Sequence, residues 1–269
     1  MYKKFVTALF VLFFCFCSFA KAELTTEQKK ELFAQANDYF QQANSAENQD
    51  KASELYEKAI LSFNRIIDEG NVKNAHLYYN LANAYLLQDN IGRAILNYRR
   101  AENLDPSDEN IQKNLAFARS RRIDKVAVNT EKKVMHTLFF WHYDFSLKTK
   151  FILTCIFFGA LCLCGAITIR KGFVGPVTVT MVICGLLTVL FFISVFVEYN
   201  NQRNINYGVI TAAEVIARQG DGQNYPQSFK DPLHEGTEFQ LLESRSMWFH
   251  IKLTDDSTAW IPSDSAELI

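Results

Sequence analysis

The sequence predicts a multi-domain membrane protein: an all-α helical-repeat region, two transmembrane helices and a small all-β domain at the C-terminal end. Three observations carry this reading. Between Phe33 and Ala118, apolar residues recur at helical spacing with alanines at fixed positions among them. Two charge-free apolar runs, 151–169 and 173–197, flank the turn Arg170-Lys171-Gly172, and at ~1.5 Å per residue each is long enough for a hydrocarbon core of ~30 Å. From Gly208 onward the pattern becomes short alternating strands broken by Gly and Asp turns.

Composition narrows the function classes. The net charge of -1 implies no nucleic-acid partner. All six cysteines lie in apolar runs: Cys15 and Cys17 near the start, and Cys155, Cys162, Cys164 and Cys184 later. The soluble parts therefore carry neither a disulfide framework nor a thiolate metal site, which suits an oxidising compartment.

In chain order, residues 1–22 read as a secretory signal peptide. Lys3 and Lys4 precede the apolar run Phe5 to Phe19, and Ala20-Lys21-Ala22 closes it. An uncleaved anchor is the alternative, and either one puts the next segment outside the cytoplasm.

Residues 23–125 form the helical region. Thr25 and Gln28 have the spacing of a capping box. Phe33, Ala36, Asn37 and Phe40, then Ala52, Tyr56 and Ala59, form a degenerate helical hairpin with a lengthened turn around Ser45 to Asp50, closed by Gly70. Tyr78, Leu81, Ala82, Tyr85, Ala94, Tyr98, Ala101 and Pro106 then fill the tetratricopeptide pattern without a gap. Its alanines stand where two antiparallel helices approach closely, and its large residues fill the space between them. Pro106 is expected to open a further helix, with Ile111, Leu115 and Ala118 on one face, that caps the stack. The basic group Arg119, Arg121, Arg122 and Lys125 reads as the solvated end of that helix, with anionic lipid headgroups as an alternative contact.

Residues 126–148 are a linker ending in the aromatic segment Leu138 to Tyr143, expected at the membrane interface, with Lys148 and Lys150 close behind. Within 149–197 lie the two spans, joined on the cytoplasmic side by Arg170-Lys171. No buried charge is expected in them, so no ion or proton path. The signal peptide puts both soluble parts in the periplasm of a bacterial inner membrane, and the lipid bilayer is itself a partner.

Residues 208–269 form the β domain, with Val215, Phe239, Leu241, Phe249, Ile251, Leu253 and Ile261 facing inward and Trp248, His250 and Lys252 outward. The runs LHEGTEFQLLE, MWFHIKL and DDSTAWIP resemble bacterial SH3-like barrels.

Two surfaces could bind partners. In the tetratricopeptide groove stand His76, Tyr79, Asn80 and Asn83, with Lys113 and Asn114 from the capping helix. Asn80 matches the position that holds a peptide C-terminus in carboxylate-clamp relatives, whereas His76 stands where those have lysine. The groove is thus either a partial clamp or a solvated polar face. On the SH3-like domain, Trp248 and Pro262 match groove positions, but Ser265 replaces the usual tyrosine. Proline-rich ligands are therefore disfavoured, which leaves cell-wall peptides, or Trp248 and Trp260 simply covering the barrel. Catalytic, metal and cofactor motifs are absent: the five histidines are dispersed, and no phosphate-binding glycine loop, HExxH or G-x-S-x-G occurs.

The order of parts resembles the BatE type of Bacteroides aerotolerance proteins over essentially the whole chain. YYNLANAYLLQDNIGRAILNYRRAENLDP, NLAFARSRRIDKV and LHEGTEFQLLE are the most specific pieces. The resemblance implies an inner-membrane, periplasm-facing protein linked to tolerance of oxygen or other stress. Its group includes von Willebrand factor A-type membrane proteins and a MoxR-type ATPase, so other Bat-type proteins are the implied partners. The expected role is a non-enzymatic adaptor; an envelope sensor or tether binding peptidoglycan is the alternative.

Overall fold

The computed structural model describes residues 24–125, 138–172, 175–204 and 206–269, without the side chains of 201–204. The expected signal peptide and residues 126–137 of the linker lie outside the described residues. The chain divides into two compact units, Met1–Lys73 and Asn74–Ile269.

The first unit holds helices α1 (Thr26–Asn44) and α2 (Gln49–Asp68). The capping box forms: Gln28 N donates to Thr25 Oγ1 at 3.3 Å and Thr25 N to Gln28 Oε1 at 2.9 Å. This satisfies two of the N–H groups that a helix start leaves without partners. Asn48 caps α2 by accepting from Lys51 N at 2.8 Å. Fully buried Ala36 and Ala59 are among the smallest core residues. Larger rings fill the rest: Phe40 meets Tyr56 edge-on at 5.6 Å and Phe33 meets Phe63 at 6.1 Å. Tyr56 keeps its hydroxyl satisfied on Asn44 Oδ1 at 2.7 Å.

The second unit begins with helices α3 (Ala75–Leu87), α4 (Ile91–Leu104) and α5 (Glu109–Ser120). Asn74, Asn90 and Asp108 cap them in turn, each accepting from a backbone N–H in the first turn. Tyr78, Leu81, Ala82, Tyr85, Ala94, Tyr98 and Ala101 are all buried. The third helix starts at Glu109 rather than at Pro106, because the Asp108 carboxylate, 2.8 Å from Asn110 N, takes the capping role. Ile111, Leu115 and Ala118 are buried, as the sequence periodicity anticipates.

The C-terminal sheet is antiparallel throughout, with strands β1 (Asn206–Ile210), β4 (Glu238–Arg245), β5 (Trp248–Lys252), β6 (Thr258–Pro262) and β7 (Ala266–Leu268) in the order β6-β5-β4-β1-β7. A two-stranded ladder of β2 (Glu214–Val215) and β3 (Leu233–His234) accompanies it. The expected inward residues Val215, Phe239, Ile251, Leu253 and Ile261 are buried in one cluster, with Leu241 and Phe249 packed against it. A register shift between Leu241 and Glu243 interrupts the alternation of β4, which leaves Leu242 exposed. β1 opens at Asn206, two residues before the expected boundary at 208.

Between the helices and the sheet stand α6 (Phe140–Tyr143), α7 (Leu147–Lys171) and α8 (Gly175–Asn204). Leu147–Lys171 and Gly175–Asn200 are long and apolar enough to cross a membrane. Lys150, which follows the aromatic segment on the flank of the first span, is 0% exposed and paired with Glu198 of α8, a burial the sequence reading does not anticipate. Two helices packed side by side bring together ionic groups 48 residues apart, and linear hydropathy cannot reveal that. The pair sits at the end of the hairpin remote from Arg170 and Lys171.

Candidate interaction surfaces

The expected groove residues separate into two sets. Tyr79, Asn83 and Asn114 converge on Tyr98, which donates from its hydroxyl to Asn83 Oδ1 at 2.5 Å. Asn114 Nδ2 lies 3.0 Å from both Asn83 Oδ1 and the Tyr79 hydroxyl, and the Tyr79 and Tyr98 rings lie 6.0 Å apart. This network fastens α5 to the α3–α4 hairpin. Burial pushes the Tyr98 hydroxyl pKa well up, with the neighbouring Tyr79 adding to the rise, so Tyr98 acts as a neutral donor. His76 and Lys113 are exposed, Lys113 pairing with Glu109 at 2.9 Å, while Asn80 is half-buried. The outward surface therefore centres on His76 and Lys113, with Asn80 half-buried and Asn83 and Asn114 engaged internally.

A second arrangement went unread in the sequence: a charged seam between α4–α5 and the sheet. Arg119 grips Glu238 with two bonds, Nε to Oε2 at 2.8 Å and Nη2 to Oε1 at 2.7 Å. Arg122 Nη1 lies 3.2 Å from Oε2, and Arg99 Nε 3.2 Å from Oε1. Arg99 also pairs with Glu102. Beside this group, Asp124 accepts from His234 N at 2.7 Å, from Thr237 Oγ1 at 2.6 Å, and meets His234 Nδ1 at 2.9 Å. The expectation of a solvated helix end thus fails for Arg119 and Arg122. Their partner, Glu238, is more than a hundred residues away in sequence, and local charge patterning holds no trace of it. Arg121 does lie at the surface, paired with Asp89 at 2.8 Å.

Close backbone approach makes the seam possible. Gly92, in the first turn of α4, donates its N–H to Glu235 Oε2 at 2.9 Å. A Cβ at this position would stand 2.7 Å from the Ile210 carbonyl oxygen of β1. Gly236 has φ +83°, and a Cβ there would meet Ile95 and Arg122 side chains at 2.9 Å. Further along, Arg100 Nη2 donates to the Leu268 carbonyl at 2.7 Å. Burial alone would raise the Glu238 carboxyl pKa, but the bonds and charge of Arg119, then the charges of Arg99 and Arg122, hold it below the usual range. The Asp124 carboxyl is likewise low: burial opposes ionisation, and the bonds from Thr237 and His234 outweigh it.

On the sheet, Trp248 pairs directly across from Pro262, and His250 across from Trp260. Trp248 is half-buried. Trp260 is only 9% exposed. Its ring stacks on His250 at 4.6 Å, with the Arg245 guanidinium 5.0 Å from its centroid, and its backbone bridges to Arg218 through two 2.8 Å bonds. Trp260 is thus a covered ring, while Trp248 and Pro262 form an accessible apolar pair. Ser265 is buried, its hydroxyl donating to the Pro262 carbonyl at 2.6 Å. Among the described residues no group of three or more His, Cys, Asp or Glu is placed to hold a metal ion. The chain matches no protein-family model and no curated protein.

Proposed function

We propose that this chain is a non-enzymatic adaptor of the BatE type. In this reading the α7–α8 hairpin fixes it in a bacterial inner membrane, and a tetratricopeptide-type helical region and an SH3-like domain stand together in the periplasm. The observation that carries the reading is the seam. With Glu238 held by Arg99, Arg119 and Arg122, helices α3–α5 and the sheet are joined within one compact unit, suited to presenting two surfaces to one target. Two joined surfaces raise each other's effective concentration, so modest affinity at each suffices. The tetratricopeptide reading is supported by burial of the pattern residues from Tyr78 to Ala101. The SH3-like reading is supported by the five-stranded order and by Trp248 lying opposite Pro262. Periplasmic placement rests on the N-terminal signal pattern and on Arg170 and Lys171 at the hairpin turn.

The partners proposed from the resemblance are von Willebrand factor A-type membrane proteins and other Bat-type proteins. Crosslinking in intact cells, then mass spectrometry of what stays with the full-length chain, tests this. His76→Ala/Lys113→Ala is the suitable variant, since both residues are exposed. Capture of such membrane proteins, lost in the variant, is the expected result; unchanged capture would remove the groove as the docking surface. A second reading, a tether whose sheet binds peptidoglycan, is favoured by the accessible Trp248–Pro262 pair. Under it, the full chain would sediment with purified cell wall and Trp248→Ala would not.

A further inference from the structure

Two links orient the sheet against the hairpin. α8 ends at Asn204 and β1 opens at Asn206, so the start of β1 stands beside the second span. α4 lies along β1 in the opposite sense. Its first turn meets the far end of β1, where a Cβ on Gly92 would touch the Ile210 carbonyl, and further along Arg100 Nη2 donates to the carbonyl of Leu268, the partner of Gly208. The turn after α4 then comes back to the hairpin, where Pro106 and Ser107 share one cleft with His142, Asp144 and Glu198. By both links, the Asn206 end of β1 faces the span and the Ile210 end points away from it.

Antiparallel to β1, β4 runs back toward the hairpin and overshoots the start of β1. Asn206 pairs with Leu241, but β4 continues with β5 through Glu243–His250, Ser244–Phe249 and Arg245–Trp248. At ~3.3 Å per rung, the tip of this β-hairpin lies about 10 Å beyond Asn206. The height of Asn206 follows from helix rise. The charge-free run 151–169 is about one hydrocarbon thickness, so the Lys150–Glu198 pair marks one edge of the hydrocarbon. From Glu198 to Asn204 is about 9 Å of helix, and Asn206 is at most about 7 Å further. The tip therefore returns to within about 6 Å of that edge, inside a headgroup layer that is roughly 5–7 Å deep on each side. Its residues suit that layer. Residues 242–247 are exposed without a break, Met247 at 72%, with Leu242 among them and half-buried Trp248 on the last rung. An amphipathic ring such as that of Trp248 is favoured at a membrane interface, and apolar side chains beside it gain from leaving water. The charges close by are already paired, Arg245 with Glu243 at 2.6 Å and with Asp221 at 3.3 Å, so seating the tip needs no anionic lipid.

We propose that the β4–β5 tip is a membrane-interface anchor, with Met247, flanked by Leu242 and Trp248, seated among the lipid headgroups of the leaflet from which α8 emerges. The inference rests on the α7–α8 hairpin lying in a bilayer, as the proposed function has it. The test uses the full chain without its native cysteines, in phosphatidylcholine nanodiscs at one chain per disc, with an environment-sensitive fluorophore at Met247→Cys. The reference is the same label at Thr258→Cys, an exposed site four rungs from the tip. Emission from the Met247 site is expected to lie to the blue of the reference, to be quenched by phosphatidylcholine carrying a nitroxide on its headgroup, and to resist aqueous iodide. Ser244→Cys repeats the measurement if Met247→Cys misfolds, and its lipid quenching should be lost when Met247→Asp is added. A Met247 label as open to iodide and as indifferent to the lipid nitroxide as the reference would overturn the proposal, since the tip would then stand in water. So would a label shielded from both quenchers, which would mean that polypeptide covers it, or protection that arises only when two chains share a disc, which would make the tip a contact between copies. Alkaline carbonate extraction keeps the two readings apart. A chain released from membranes defeats the spanning reading itself, whereas a retained chain with its tip in water defeats only the anchor.

Discussion

Glu238→Gln keeps the shape of the side chain while removing the charge that three guanidinium groups share. Its cost can be bracketed from the geometry. Breaking a buried ion pair by neutralising one partner costs about 3–5 kcal/mol, because the remaining charge is stranded in low dielectric. The Arg122 side chain is 13% exposed and is stranded, whereas Arg99 keeps its pairing with Glu102 and Arg119, 34% exposed, recovers part of its hydration. The lower end of the bracket, about 3 kcal/mol, is therefore expected, equivalent to roughly a hundredfold in an opening equilibrium. Hydrogen exchange of the full chain in detergent reads this directly. Peptides from β4 and from the end of α5 should exchange about a hundredfold faster in the variant, while those of α1 and α2, in the other compact unit, should not change. Arg121→Ala is the control, since Arg121 and Asp89 are an exposed pair, 40% and 75% accessible, with an expected effect under ~1 kcal/mol. If Glu238→Gln accelerated β4 exchange no more than Arg121→Ala does, the seam would be ornamental and the adaptor would be two loosely joined parts.

Other outcomes follow from the same contacts. Because Glu238 and Asp124 have carboxyl pKa values held below their ordinary ones, their contribution is fully present above about pH 5 and is lost as pH falls below about 4. The opening equilibrium of the seam, taken as each exchange rate divided by the intrinsic amide rate at the same pH, should then rise as pH falls below about 4. Gly92→Ala puts a Cβ 2.7 Å from the Ile210 carbonyl and should cost about 1–3 kcal/mol in thermal unfolding; Gly159→Ala, with nothing within 4 Å, should be near neutral. Asn83→Ala strands the Tyr98 hydroxyl and should destabilise α3–α5 by about 1–3 kcal/mol, with His76→Ala almost silent. Lys150→Met should lower the yield of folded chain sharply, and Lys150→Met/Glu198→Leu should restore it, because an apolar pair replaces a buried ionic one at little cost.

Much of the architecture could be read in the sequence because it is local. Helical periodicity, the capping box of Thr25 and Gln28, the two apolar runs and the alternation around Phe249 to Leu253 are written within a few residues of each other. The seam is not, since nothing near Arg119 announces Glu238. Only Gly92, unfavourable so close to the start of a helix interior, hinted that something approaches α4 closely. The same applies to Lys150, whose partner Glu198 lies across the hairpin. The groove was half legible. Spacing placed His76 and Lys113 at the surface, but it could not show that Asn83 and Asn114 are tied into the network around Tyr98.

The proposed adaptor needs its helical region and its sheet on the same side of the membrane, and the seam can form only if an even number of spans separates them. Cysteine labelling at Ser107 and Thr258, one exposed site on each part, measures this directly. In a chain lacking its native cysteines, S107C and T258C are compared with a membrane-impermeant maleimide in spheroplasts. Both sites should react without permeabilisation, as two periplasmic parts of one body would. Reaction at one site alone would break the hairpin and the seam together, and reaction at neither until the membrane is opened would place the whole assembly in the cytoplasm and end the periplasmic adaptor.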